Sequence, residues 1–254
     1  GDIGLKSLFT SGVDYHTANA MRIWGITDAM LVTPAQRQKA KIGGHGTNYG
    51  ATEVTLALQL GISIAEAKVF RIRYFAAYQQ LEQWHQRLQS QVRKTRTLVT
   101  PMNRKRVFLD RMDDNLFRNA MAFTPQSTIA DLMNHAICAL MAERPWLKLL
   151  LQCHDSLAFS IPYEEVDEFI TWVRSHVERT ITLDRGEQFV IPADFEVGWN
   201  MKDLVRYLTP SQEGEVQFRL DRGETVAEIV ASMSLNKDAI VAVKEGVTWR
   251  KPNV

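Results

Sequence analysis

The chain has little cysteine: its 254 residues contain two, Cys138 and Cys153, each in an apolar stretch. That excludes a disulfide framework and predicts reduced thiols in the core. Long hydrophobic runs are missing, since none reaches the roughly 20 apolar residues that span a bilayer. The N-terminus also lacks the basic-then-apolar order of a secretory signal. Both absences point to a soluble, intracellular protein. Charge of one sign is missing too: 30 Lys and Arg stand against 29 Asp and Glu, a formal net charge of +1. Nucleic-acid contact must therefore come from local basic clusters rather than a global field. The length and the 45% apolar content suit one large domain or two small ones.

What is present divides by pattern. "VDYHTANAMRIWG" (residues 13–25) has helical spacing, with Gly25 placed as a stop. Thr33 and Pro34 then form an N-cap and first helical position, opening "TPAQRQKAKIGGHGTNYGA". Glycines 43, 44, 46 and 50 are expensive in a helix, at about 1 kcal/mol each relative to alanine. Close approach of a ligand or another backbone is one justification. Residues 63–96 read as one long or broken helix, and "RTLVTPMNRKRVFLD" as a hairpin. A second long helix over 113–143 is interrupted at "TPQST" (124–128). An amphipathic helix follows from 164 to about 181, then a strand near "IPADFEVGW" (191–199). "TPSQEGE" reads as a linker. Two short helices joined at "SLNK" then admit either a helix-turn-helix or a small packing module, the latter favoured.

Two places carry chemistry. Arg37, Lys41, His45 and Tyr49 recur every four residues, forming one stripe on a helix. Two cations followed by two rings suit phosphates and a stacked base, although a basic amphipathic helix with core rings has the same spacing. "LKLLLQCHDSLAFSIP" (147–162) is two apolar runs broken by His154, Asp155 and Ser156, a buried hairpin with an acid at its tip. A carboxylate there costs desolvation energy unless it is solvated in the turn or meets a cation. A metal ligand and a solvated turn residue both fit.

Taken in order, these segments resemble DNA polymerases of family A. Arg37-x3-Lys41-x7-Tyr49-Gly50 is similar to the family's fingers helix, and "QCHDSLAF" to its His-Asp palm hairpin. "FRNAMAFTPQSTIADLMNHAI" (117–137) is similar to the helix bearing an Arg, a Pro-Gln and a Thr-x-x-Asp. "SGVDYHTANAMRIWG" resembles the Asp-Ile-His-Thr segment, and "TLVTPMNRKRVF" falls at the Thr-x-x-Gly-Arg-Arg hairpin. The resemblance covers about residues 2–207. It implies an α/β fold with an antiparallel palm sheet backed by helices, a helical fingers subdomain and a small C-terminal appendage. The corresponding segments are 1–30 (palm to fingers), 31–110 (fingers and hairpin), 111–208 (palm) and 209–254 (appended module).

The resemblance implies these roles. Asp155 is the second of two palm carboxylates that hold two Mg²⁺ ions. His16, Arg37 and Lys41 contact the triphosphate of the incoming dNTP, Lys41 also protonating the departing pyrophosphate, and His45 faces its sugar and base. Tyr49 and Gly50 sit beside the templating base. Arg118 and Gln126 meet primer-template DNA in the minor groove, and His154 braces the primer end.

The chain also departs from the family. The first palm motif, with the other metal-binding Asp, matches a place roughly a dozen residues before Gly1, and the thumb lies further upstream. The expectation is a chain inactive alone, needing an upstream segment or a partner subunit. His45 replaces a Phe or Tyr, and Ser156 replaces a Glu, as in a divergent, phage-like member at work in the cytoplasm of a bacterium or infected host. A non-catalytic DNA-binding subunit is the main alternative. A metal phosphohydrolase is a third, which His135 and His176 support poorly because neither has an acid partner in view.

Overall fold

The computed structural model describes residues 14–183, 186–233, 235–247, 249 and 250. They fall into two compact units. One runs up to Asn134 and includes Ile181–Gln188; the other comprises His135–Thr180 and the residues from Phe189 onward.

The first unit is mostly helical, and its caps are written in the sequence. Helix α1 (Tyr15–Trp24) starts at Asp14, whose carboxylate accepts from the Thr17 amide at 2.8 Å, and ends at Gly25 in the left-handed conformation. Helix α2 (Pro34–Asn48) opens on a capping box between Thr33 and Gln36 with proline in its first turn. Helix α3 (Glu53–Leu60) leads to α4 (Ile64–Ala77), which has a second capping box, Ser63 with Glu66. The long or broken helix predicted over 63–96 is broken at Tyr78, where the backbone turns to φ −130°, and resumes as α5 (Gln79–Thr95). The Tyr78 hydroxyl donates to the buried Asn19 side chain of α1, so a tertiary bond accompanies the break.

Strands β1 (Thr97–Val99) and β2 (Lys105–Val107) form the predicted antiparallel hairpin. Asn103, in the turn between them, has φ +63°, a conformation asparagine tolerates far better than most residues. Helix α6 (Asp114–Glu143) runs through Pro125 without the predicted interruption. The Thr128 hydroxyl donates to the Thr124 carbonyl at 2.7 Å across that turn. Burial of Met121, Phe123 and Leu132 on either side offsets the proline's cost of about 3 kcal/mol.

In the second unit β3 (Lys148–Cys153) pairs antiparallel with β4 (Ser156–Ser160), with an irregularity between Leu149 and Leu151. The predicted buried hairpin is only partly buried. Phe159 packs on Phe169 of helix α7 (Val166–Val177), with ring centroids 5.3 Å apart. The β3 side chains Leu150 and Leu151 are instead 61% and 53% exposed, because a two-stranded sheet offers α7 one face. Helix α7 ends at Val177, short of the predicted 181, and the β-branched run at β5 (Thr180–Thr182) is extended. After β6 (Gln188–Val190), the strand predicted over 191–199 shrinks to β7 (Glu196–Val197), paired with β8 (Val205–Arg206). Pro192 lacks the ladder donor that a longer strand needs.

"TPSQEGE" is no linker. It opens helix α8 (Pro210–Asp221) with a third capping box, Thr209 with Gln212. Helices α9 (Val226–Met233) and α10 (Lys237–Lys244) pack with it around Leu208, Val216, Ile229 and Ile240. Arg250 joins this module to the rest of its unit, its guanidinium forking onto Asp167 at 3.0 Å twice and onto Glu213 at 2.8 Å. Both cysteines are exposed, against the expectation of core thiols. Cys138 lies on an uncovered face of α6, and Cys153 beside the exposed tip of β3. No helix among the described residues is long and apolar enough to cross a membrane.

The glycines of α2 give a stability test. A Cβ on Gly43 would lie 2.4 Å from the buried Phe70 ring, whereas one on Gly44 meets Tyr74 at an ordinary 3.4 Å. Gly43→Ala should therefore destabilise by about 1–3 kcal/mol. Gly44→Ala should be neutral or slightly stabilising, since alanine gains about 1 kcal/mol of helix propensity. Urea denaturation of both variants reads the difference.

Candidate functional site

Helix α2 has two faces. Ala40, Gly43, Gly44 and Thr47 are buried, and the Gly43, Gly44 and Gly46 positions back onto Phe70, Tyr74 and Leu56. These glycines serve helix packing rather than close approach of a ligand, which corrects that expectation. With this face buried, the stripe of Arg37, Lys41, His45 and Tyr49 is left outward. Lys41 and His45 are exposed; Arg37 and Tyr49 are half-buried. The His45 and Tyr49 rings lie near-parallel with centroids 6.4 Å apart.

Helix α1 brings His16 to this stripe, its ring centroid 6.1 Å from that of His45. Burial holds the His16 pKa below its usual value, Asp14 pulls it upward, and Arg37, Lys41 and His45 add to the lowering. The buried Nδ1 of His16 has no hydrogen-bond partner. Arg37 itself meets Asp14: Nε and Nη2 donate to the two carboxylate oxygens at 2.8 and 2.9 Å. Partial burial works against ionisation of Asp14, but hydrogen bonds from Arg37 and Thr17 outweigh it and lower its pKa to about 2. The sequence reading gave this acid no role, although it is the Asp of the segment that resembles Asp-Ile-His-Thr.

The C-terminal end of α2 is fixed by a chain of polar contacts. The Tyr74 hydroxyl lies 3.1 Å from that of Tyr15 and donates to the Asn48 side chain at 2.9 Å. His85 Nε2 lies 2.9 Å from the Asn48 carbonyl oxygen. Beyond Tyr49, Gly50 adopts φ +73°, and the Ala51 amide donates back to the Gly46 carbonyl at 2.8 Å, a Schellman closure. A Cβ on Gly50 would lie 2.5 Å from Met121 Sδ and 3.9 Å from Arg118 Cγ. The turn after Tyr49 is thus set directly against α6 beside Arg118. Gln126, exposed and eight residues further along α6, shares the Arg118 face. Among the described residues neither Arg118 nor Lys41 makes an ion pair.

A second missed pair joins the β1–β2 hairpin to α6. Arg104 Nε donates to both oxygens of Asp131 at 3.0 Å, and its Nη2 makes a further contact. Asp131 is buried, and the pair raises the Arg104 pKa. The motifs bearing these residues were visible separately; their contact depends on the hairpin folding onto the helix.

In the second unit the β3–β4 turn carries His154, with φ +53°, and Asp155, both exposed. Among the described residues no protein cation pairs with Asp155. His176, expected to lack an acid, has one: Nε2 lies 2.9 Å from Glu143 Oε1, and this bond raises the His176 pKa. That is a structural pair rather than a ligand set. No group of three His, Cys, Asp or Glu that could hold a metal occurs among the described residues.

A profile of DNA polymerase family A matches residues 1–203. A thermostable DNA polymerase I of Thermus filiformis is 32% identical over 209 residues, covering 78% of this chain and 24% of the relative. The Lactococcus lactis DNA polymerase I is 33% identical over 193 residues, 72% of this chain and 22% of the relative. The chain thus spans about a quarter of the length of these relatives. The polymerase domain of Pol1 from M. smegmatis, solved with a DNA primer-template and dNTP, superposes with a TM-score of 0.64 at 29% identity. The match covers 70% of this chain and 33% of that one. The architecture is that of helical fingers and an α/β palm with short antiparallel sheets.

The depressed Asp14 pKa has a pH consequence. With the folded value below the unfolded one, the ion pair's contribution to stability is complete above about pH 4 and is lost as pH falls through 2. A carboxyl ¹³C titration should place the Asp14 midpoint near 2, and Arg37→Ala should move it upward.

Proposed function

Since the chain belongs to DNA polymerase family A, we propose that it carries the fingers (31–110) and most of the palm (111–208) of a template-directed DNA polymerase. The enzyme adds dNTPs to a primer 3′-hydroxyl in the cytoplasm of a bacterium or a phage-infected host. The observation that carries this reading is the α2 stripe, with cations and rings turned outward and His16 beside them.

Arg37, Lys41 and His16 bind the triphosphate, where a guanidinium fork and an ammonium match phosphate oxygens. The Lys41 ammonium supplies a proton to the leaving pyrophosphate. His45 offers a flat ring to the nucleotide's sugar and base, and Tyr49 and Gly50 line the templating position. Arg118 and Gln126, on their common face of α6, take the minor groove of the primer-template. His154 steadies the primer terminus.

Asp155, exposed at a hairpin tip without a protein cation, fits one oxygen donor of the two-Mg²⁺ site implied by the resemblance. The described residues do not complete that site. When bound, the ions supply charge stabilisation at the attacking and leaving oxygens. We assign the first metal-binding Asp and the thumb to polypeptide outside these 254 residues, either an adjoining segment or a partner subunit.

A second reading, a non-catalytic polymerase-like subunit that binds DNA, draws on the lone carboxylate at Asp155. Primer extension with Mg²⁺ and all four dNTPs separates the two. The chain alone should give no product. Supplying the missing segment or subunit should restore extension, and Asp155→Asn should lower it at least a hundredfold. Binding of primer-template in a salt-dependent way without extension on reconstitution would instead establish the DNA-binding subunit.

A further inference from the structure

We propose that Asp14 is the resting partner of Arg37: a carboxylate that occupies the guanidinium fork until a triphosphate displaces it, and so sets the threshold for nucleotide binding. This rests on the assignment of Arg37 to the triphosphate.

Geometry carries the inference. Asp14 uses Nε and Nη2 together, at 2.8 and 2.9 Å, which is the edge a phosphate needs for bidentate recognition. Carboxylate and phosphate therefore compete for the same two donors. Asp14 is also held in place from its own side. As the N-cap of α1 its Oδ2 accepts from the amide and the hydroxyl of Thr17, each at 2.8 Å. The carboxylate is anchored to a helix end, so Arg37, on a long side chain, is the part that moves. Both side chains are close to half exposed, at 43% and 44%, so exchange needs no opening of the core.

Charge points the same way. His16, Lys41 and His45 lie close enough for their fields to meet, and Asp14 is the anion acting on His16 against them. Asp14 partly cancels the local positive potential, so a singly charged anion gains little by entering. A triphosphate reaches Lys41 and Arg37 together and compensates the lost pair. Released from Arg37, Asp14 continues to repel phosphate, which favours departure of anions that do not engage the whole stripe.

The test uses the 254-residue chain and inorganic tripolyphosphate, with binding followed by calorimetry at low salt, where exposed charges are least screened. Asn is as good an N-cap as Asp, so Asp14→Asn removes the charge and keeps the start of α1; thermal melting confirms the fold. Asp14→Asn should bind tripolyphosphate about two- to fivefold tighter, the scale of an exposed ion pair. The gain should vanish in an Arg37→Ala background. Unchanged or weaker binding by Asp14→Asn, or a gain that persists without Arg37, overturns the proposal. So does a wild-type chain that does not bind tripolyphosphate. If Asp14→Asn behaves as expected while the reconstituted protein fails to extend primers, the exchange stands and the polymerase reading falls.

Discussion

Gly43 leaves no room between helix α2 and the ring of Phe70, and that close approach orients everything around it. A helix pressed this tightly along one face cannot rotate about its axis without driving a side chain into an aromatic ring. The opposite face is therefore fixed as the outward one. Arg37, Lys41, His45 and Tyr49 occupy it. The helix accepts several expensive glycines, and the packing they permit decides where the four side chains of the stripe point.

The same helix is held at both ends. At the start, Thr33 and Gln36 close a capping box, and the Asp14–Arg37 pair ties the first turns to α1. At the end, Asn48 is gripped through its side chain by Tyr74 and through its carbonyl by His85. Gly50 then turns the chain against Met121 of α6, bringing Tyr49 and Arg118 into one neighbourhood. Polar contacts at the ends give direction while apolar packing in the middle gives rigidity. Held in both ways, the outward face of the helix is presented in one orientation.

The polar pairs outside this helix behave alike. Arg104 with Asp131, Arg250 with Asp167, and His176 with Glu143 each join segments distant in sequence. Their individual energies are modest where they are exposed. Their use is in register: each fixes how one segment lies on another.

Local physics was legible in the sequence, and it covered much of the fold. The cap at Thr33, the stop at Gly25, the hairpin at 97–107 and the period-four stripe all depend on residues within a few positions of one another. The family resemblance added the order of the motifs. What the sequence could not reveal depends on neighbours far along the chain. Pro125 stays helical because buried residues on either side outweigh its local cost. Tyr78 breaks a helix beside a bond to Asn19, 59 residues back. The glycines of α2 looked like openings for a ligand until their actual neighbours, Phe70, Tyr74 and Leu56, were in place. The apolar strand β3 read as core, because apolar content does not say whether a second layer exists to cover it. Asp14 stood in the Asp-Ile-His-Thr-like segment, but its meeting with Arg37 could not be read there, since an ion pair is decided by the packing of two helices. Sequence determined the features that rest on residues close together, such as the cap at Thr33, the stop at Gly25 and the spacing of the stripe; tertiary structure decided which side chains meet and where several helices and strands end, because both are set by packing across each unit.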